Sequence, residues 1–137
     1  MAKETGLGWT TLDIDDEAGA AQDLRADVQS MAFATPRGVQ DVTGIDKSAM
    51  ERLLLLSDMS ITLNFVFDDA TSDSVHDVFK TVPSSNNPKR TTLLVVSGQT
   101  LTAEILYTDY AYSRNADGSL TGTVPGVLAD GVAAAWT

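Results

Sequence analysis

The residue types that carry most enzyme chemistry are scarce in this sequence. Its 137 residues include a single histidine, His76, and no cysteine. Thiolate nucleophiles, thiolate metal ligands and disulfides are therefore all excluded. No serine motif near His76 offers it a nucleophile, and the G-x-S-x-G pattern of serine hydrolases is absent. We predict that His76 is a solvated surface residue and that the protein is not an enzyme.

An acidic run near the N-terminus is the best candidate for a metal site. Four carboxylates lie between Asp13 and Glu17, and Ca²⁺ prefers several such oxygens at close spacing. An EF-hand loop that starts at Asp13 needs glycine at its sixth position and glutamate at its twelfth, where this chain has Ala18 and Leu24. The EF-hand is thus excluded. A solvated acidic turn is favoured, a calcium site in another kind of β loop stays open, and we predict no cofactor.

Two further patterns are too incomplete to indicate a ligand site. The segment Gly6-Leu7-Gly8 lacks the continuation of a phosphate-binding loop. Three tyrosines at 107, 110 and 112 resemble a stacking platform for sugars or bases, but no basic groove accompanies them. We expect the tyrosines to serve in packing.

The charge balance is strongly acidic. Nine basic residues face nineteen acidic ones, which gives a net charge of −10 and a pI near 4.2. A surface that grips nucleic acid needs clustered Lys and Arg, whereas an acidic wall repels DNA that slides past it. The leucine run Leu53–Leu56 is far shorter than the ~20 residues that span a bilayer, and residues 1–8 do not match a signal peptide. We expect a soluble protein made in the cytoplasm.

Period-two alternation dominates the chain and predicts strands. The predicted strands cover 9–14, 28–34, 61–67, 91–96, 101 onward and 120–128, with a hairpin turn at Asp117-Gly118. The strand that begins at 101 is predicted to continue through Tyr110 and Tyr112. Because proline cannot donate to a ladder, Pro125 predicts that the last strand is bent or lies at an edge. Residues 15–26 are predicted to be an exposed connection.

One helix is predicted over about 71–82, capped by Thr71 or Ser72 and stopped by Pro83. Its apolar stripe has helical spacing and consists of Val75, Val78, Phe79 and Val82. A long loop is predicted over about 35–48, and residues 49–56 fit either a helical turn or a buried strand. The fold class is α+β, mostly antiparallel β, in one domain over 1–137.

Several phrases of the sequence resemble the major tail proteins of siphophages, which build tail tubes. The phrase T-G-I-D-K-S-A-M-E-R-L at 43–53 follows the loop, as in that family. The strand, acidic turn and helix of 58–80, the G-V-L-A-D-G at 126–131 and the near-terminal Trp136 also match. The resemblance extends from Asp13 to the C-terminus.

This resemblance implies a small β-sandwich or barrel-like tail-tube fold with one flanking helix. It implies a structural subunit of a long-tailed bacteriophage that forms stacked, hexameric rings whose bore conducts DNA during ejection without binding it specifically. The implied partners are further copies of the chain and the tail terminator, tape measure and baseplate proteins. The implied location is the virion, after synthesis in the host cytoplasm, with no membrane involved.

The resemblance also gives roles to particular residues. The loop would contact a neighbouring subunit through Arg37, Asp41, Asp46 and Lys47, whose mixed charges suit register-setting contacts. Acids on sheet faces would line the bore, with Glu104 the clearest candidate and Asp109 the next. Two alternatives stay open: a stacked-ring tube of a contractile tail or secretion system, and a calcium-dependent β-sandwich binding module.

Overall fold

The computed structural model describes residues 3–86 and 88–137, so residues 1, 2 and 87 lie outside the description. Strands and turns dominate these ranges, with one short α-helix and one 3₁₀ turn. The elements are the 3₁₀ turn Gly6–Gly8, β1 (Trp9–Asp15), β2 (Ala21–Asp23), β3 (Val28–Ala34), β4 (Arg37–Asp41), β5 (Arg52–Ser57), β6 (Ser60–Val66), α1 (Val75–Phe79), β7 (Lys89–Val96), β8 (Gln99–Tyr107), β9 (Ala111–Arg114), β10 (Leu120–Leu128) and β11 (Ala135–Trp136).

Nine of the strands form one antiparallel sheet in the order β2-β1-β7-β8-β10-β6-β3. Strand β11 pairs with β8, and β9 pairs with β10. The sheet rolls on itself, because Trp9 of β1 meets Phe33 of β3, near the opposite end of the strand order, with ring centroids 6.3 Å apart. Alternate side chains of the strands fill the inside of the roll with Leu, Ile, Val and Phe. The prediction of a mostly antiparallel, barrel-like α+β fold is confirmed.

Helix α1 is shorter than the predicted 71–82, because the residues before it are held in another conformation. Asp73 has φ of 51°, in the left-handed region, and its side chain accepts a hydrogen bond from the backbone of Asp23 at 2.9 Å. The helix therefore begins after Ser74, whose hydroxyl accepts from the Asp77 N–H at 3.1 Å and caps the N-terminus. Val75, Val78 and Phe79 are fully buried against the roll. The helix closes one side of the core.

The predicted loop over 35–48 is wrong in its first part. Residues 37–41 form β4, which pairs with β5 in a separate two-stranded sheet. The pairing continues past the strand ends, since the Val42 N–H donates to the Glu51 carbonyl at 2.9 Å. Residues 42–51 form the end of this hairpin. The leucine run of β5 is a strand, as one of the two sequence interpretations had it, but it is exposed and not buried.

Strand β10 is central and does not lie at an edge. It pairs with β6 along its length on one side, and on the other side it pairs first with β9 and then with β8. Pro125 stands at the switch between β9 and β8, where its carbonyl accepts from Thr108 N–H at 3.2 Å. A missing N–H costs little where one partner strand ends and the next begins. At Pro125, where the sequence predicted a bend or an edge, strand β10 changes its pairing partner from β9 to β8.

Two other boundaries differ from the sequence prediction. Strand β8 ends at Tyr107, and the chain turns before β9 begins at Ala111. The connection predicted over 15–26 contains the short strand β2, and Gln22 and Leu24 within it are buried. Both differences come from tertiary contacts that local alternation does not encode.

Candidate assembly surfaces

The β4–β5 hairpin exposes an unusual amount of apolar surface. Leu54 is 63% exposed and Leu56 is 92% exposed, and Ile45 is fully exposed in the turn. Leu53 and Leu55, which point to the opposite face of the strand, are about half exposed. An apolar strand that is exposed on both faces is characteristic of an interaction site and not of a free surface. The signal that sequence analysis missed is the lack of alternation in four consecutive leucines.

The four polar residues predicted for subunit contacts all lie on this hairpin. The Arg37 guanidinium donates to the Leu55 carbonyl at 3.1 and 3.3 Å, which ties β4 to β5. Asp41 accepts from the Thr43 backbone at 2.9 Å and from its hydroxyl at 2.6 Å, and these bonds lower the pKa of Asp41. Asp46 and Lys47 are exposed in the turn, 3.9 Å apart. Two of the four therefore hold the hairpin together, and their contact role stays a prediction.

A second surface is the face of the nine-stranded sheet that points away from the core, which we call the outer face. Alternation and register put many short polar side chains on it, together with the apolar side chains of Val66, Leu93, Val95, Leu106 and Val127. Within the described ranges, Lys89 is the one basic residue that this alternation places on the outer face. Its uncharged polar members are Ser30, Ser60, Thr62, Asn64, Thr91, Thr100, Thr102, Ser113, Thr121 and Thr123.

The acids of the outer face gather at one end. Glu104 accepts a short hydrogen bond from the Thr91 hydroxyl, and Asp15 of β1 lies beside the same threonine. Partial burial and the charge of Glu104 raise the pKa of Asp15, against the lowering effect of its bond with Thr91. Burial and the charge of Asp23 likewise raise the pKa of Asp13. Acidic side chains thus lie close together at this end of the outer face, with Arg25 beside Asp23.

Asp109, the second bore candidate, does not lie on a sheet face. It is exposed in the connection between β8 and β9, where its carboxylate accepts from Tyr110 N–H at 2.8 Å. The acidic run of 13–17 is also spread out. Asp16 folds into the turn and accepts from Ala20 N–H at 2.9 Å, whereas Asp13 and Asp15 lie in β1. Within residues 3–86 and 88–137, no three His, Asp or Glu side chains form a group that could hold a metal ion.

His76 is half-buried in an aromatic cluster, so the prediction of a solvated histidine is wrong. Its Nδ1 lies 3.1 Å from the Tyr110 hydroxyl, and its ring centroid lies 5.3 Å from that of Phe67. Tyr110 stacks on Phe65 at 5.6 Å, and burial raises the pKa of Tyr110 to about 12. The expected packing role of the tyrosines agrees with these contacts. Helix α1 brings the histidine to the cluster, which sequence spacing did not reveal.

A buried carboxylate, Asp27, joins the start of β3 to helix α1. Its Oδ2 accepts from Val75 N–H at 3.0 Å, at the first turn of the helix. Burial and a hydrogen bond with the neighbouring Asp68 carboxyl together raise the pKa of Asp27 to about 6, against the lowering effect of the Val75 N–H. Two carboxyl groups share this site, so Asp27 holds its proton to a higher pH than a free aspartate does.

A groove of about 450 Å³ separates β1 from β3, where the rolled sheet does not close. Its lining includes Trp9, Leu12, Val28 and Met31, with Arg25 at its border. Among the described residues, none accepts a hydrogen bond from the buried indole N–H of Trp9. A wider groove of about 990 Å³ lies between β5 and residues 131–133. In the described ranges, no helix has the length and apolarity that a bilayer crossing requires.

Comparison with known proteins bears on the fold. No protein-family model matches the sequence, and no curated protein sequence matches it. The fold itself is shared with chains of gene transfer agent particles. One, from the tail of an empty particle computed with helical refinement and C6 symmetry, has a TM-score of 0.75 at 16% identity over 98% of this chain and 99% of that chain. Another, from the virion of a native particle, has a TM-score of 0.72 at 17% identity over 98% and 99%. The tail-protein fold that the sequence resemblance implied is confirmed.

Proposed function

We propose that this chain, as one domain, is a structural subunit of a tail tube in a long-tailed phage or a phage-like particle. Copies assemble into hexameric rings, the rings stack, and the bore conducts DNA during ejection. The role is structural and not catalytic. The observation that carries the proposal is the exposed leucine hairpin on a fold shared with a particle tail of C6 symmetry.

The exposed leucines of the hairpin favour assembly. Fully burying one leucine side chain contributes about 1.5–3 kcal/mol, and strand β5 offers four leucines that are 45–92% exposed. An isolated subunit leaves this surface in water, so association with another copy is favoured. The polar residues of the hairpin, Arg37, Asp41, Asp46 and Lys47, would set the register of that contact.

The outer face of the sheet is suited to line the bore. DNA must pass without sticking, and phosphate contacts come mainly from Lys and Arg. Among the described residues, the outer face offers hydroxyl and amide groups with Asp13, Asp15, Asp23 and Glu104, against the one base Lys89. In a hexamer the −10 charge of each copy sums to about −60 per ring, and acids that face the bore repel DNA along its path. Asp109 is retained as a weaker bore candidate because it lies off the sheet.

Electron microscopy of the concentrated, purified protein tests the proposal. We expect rings or hollow filaments of uniform width in negative stain. Strictly monomeric protein under all conditions, including in the presence of a tail initiator complex, would refute it. Thermal unfolding with calcium and with a chelator addresses the binding-module alternative, because a ligand at a hundred times its dissociation constant raises the unfolding free energy by about 2.7 kcal/mol. We expect no shift with calcium.

A further inference from the structure

We propose that β5 of one copy docks as an added strand in the groove between β1 and β3 of a second copy. This inference rests on the proposed self-assembly and deepens it, because it names the receiving surface for the hairpin. The surface is the gap in the rolled sheet, and the occupant is a strand of this same chain.

The groove lies between two strand edges that are not paired with any strand in the described part of the chain. Strand β3 pairs with β6 on one side only. Residues 9–11 of β1 pair with β7 on one side, while β2 takes the other side of β1 only from Asp13 onward. Unpaired edges that face a common groove are the geometry in which a further strand adds to a sheet.

Both the receiving edge and the docking strand lack the usual protection of sheet edges. Proteins block free edges with charges, prolines or very short strands. Strand β3 runs for seven residues, V-Q-S-M-A-F-A, without a charge or a proline. The free edge of β5 presents L-L-L-L between Arg52 and Ser57. The two edges are similar in length, and each is exposed to pairing.

The groove also contains an unsatisfied donor. The Trp9 indole N–H is buried without an acceptor, and tryptophan can only donate. Buried donors in folded proteins nearly always have a partner. Because this N–H is closed off from solvent in the isolated chain, a carbonyl oxygen of a strand that enters the groove can accept from it only when the indole turns toward the groove. Leucine side chains of the same strand would cover Leu12, Val28 and Met31.

Charge favours a second copy as the occupant. Two chains of net charge −10 repel each other, so they associate best through surfaces without net negative charge. The hairpin over residues 35–57 is such a surface: its three bases, Arg37, Lys47 and Arg52, balance its three acids, Asp41, Asp46 and Glu51. The charged residue that lines the groove is Arg25, which binds Asp23 at 3.1 Å. Within its own subunit, the hairpin borders the wider groove, whose lining also includes Gly131 and Ala133.

Cysteine cross-linking tests the pairing, and the natural absence of cysteine makes the background clean. Ser30→Cys on β3 is combined with cysteine at each position from 53 to 56 in turn, and the assembled protein is oxidised with diamide. Opposed residues of neighbouring strands approach closely enough for a disulfide. We expect covalent multimers on non-reducing gels, with yields that alternate with period two along positions 53–56. The control combines Leu54→Cys with Ser113→Cys on β9, another exposed strand.

The outcomes separate this inference from the proposed function. Multimers with alternating yield at Ser30, and not at Ser113, support it. Filaments that form without cross-links to Ser30, or with higher yields at Ser113, overturn the docking site and leave the proposed function standing. Protein that never associates overturns both.

Tryptophan fluorescence gives a second readout that needs no disulfide. Trp136→Phe leaves Trp9, in the groove, as the single tryptophan. Docking of β5 buries the indole more fully, so we expect its emission to shift to shorter wavelength on assembly. An unchanged emission maximum on assembly would count against the docking site.

Discussion

Replacing two leucines on one face of the hairpin, Leu54→Ser with Leu56→Ser, should block assembly and leave the subunit folded. Both side chains point the same way on β5, and they are 63% and 92% exposed in the isolated chain. Because they contact little within their own subunit, their loss should change its unfolding free energy by no more than about 0.5 kcal/mol. The double variant instead loses the apolar surface that a neighbouring subunit would cover.

The magnitude follows from the exposed fractions. Complete burial of a leucine contributes about 1.5–3 kcal/mol, so burying the exposed parts of these two contributes roughly 2–5 kcal/mol per contact. Each 1.4 kcal/mol is a tenfold change in an equilibrium constant. The protein concentration needed for assembly should therefore rise by roughly 30-fold to 4,000-fold.

Sedimentation velocity over a concentration series measures that threshold, and urea denaturation measures the stability of the subunit. Val127→Ser is the matched control, because it removes an exposed apolar side chain from the outer face and should leave the threshold unchanged. An unchanged threshold in the double variant, with the subunit folded, would refute the reasoning about the hairpin. An equal shift in the control would show that general hydrophobicity, and not the hairpin, drives assembly.

Three further predictions address the core, pH and the bore. Burial raises the pKa of Asp27 to about 6, so the stabilisation from its protonated form is complete below its usual pKa of 3.8 and is lost as pH rises through 6. Relative to Asp27→Asn, the unfolding free energy of the wild type should fall by on the order of 2–3 kcal/mol between pH 4 and 7. Gly122→Ala should destabilise the subunit by about 1–3 kcal/mol, because its Cβ would lie 2.3 Å from the Ala111 carbonyl oxygen. Glu104→Lys should leave filaments intact but make them retain DNA in a salt-dependent way.

Each of these predictions has a control. Gly6→Ala has nothing within 4 Å of its added Cβ and should be neutral in the same denaturation assay. Parallel pH profiles for wild type and Asp27→Asn would contradict the proposed titration. Glu104→Gln should assemble and retain no DNA in a filter-binding assay. Equal DNA retention by the lysine and glutamine variants would argue that Glu104 does not face the bore.

Local signals predicted the strands well where one face is buried. Alternation in β6, β7 and β8 is strong because the side chains inside the roll must be apolar and those outside meet water. The Asp-Gly dipeptide predicted the turn at 117–118. In the structure Gly118 has φ of 92°, a conformation that favours glycine. The helix was found by its stripe, but its start was missed. The left-handed Asp73 is held by Gln22 and Asp23, about fifty residues away.

The candidate surfaces were predicted only in part. The sequence analysis identified the segment that we propose for subunit contacts but treated it as a loop, because a hairpin without a buried face leaves no alternation to detect. It put Asp109 on a sheet face because nothing local indicates that β8 ends at Tyr107. It left His76 in solvent because helical spacing does not specify that Phe67 and Tyr110 close over that side of α1.

The sequence by itself determined the class of fold, the scarcity of catalytic residue types and the acidic charge, because composition and short-range periodicity carry that information. Only the tertiary structure decided which apolar strand remains exposed, where the rolled sheet stays open and which acids share a face. Those properties depend on pairings between residues far apart in the chain. Four consecutive leucines give the same local pattern whether the folded chain buries them or leaves them exposed.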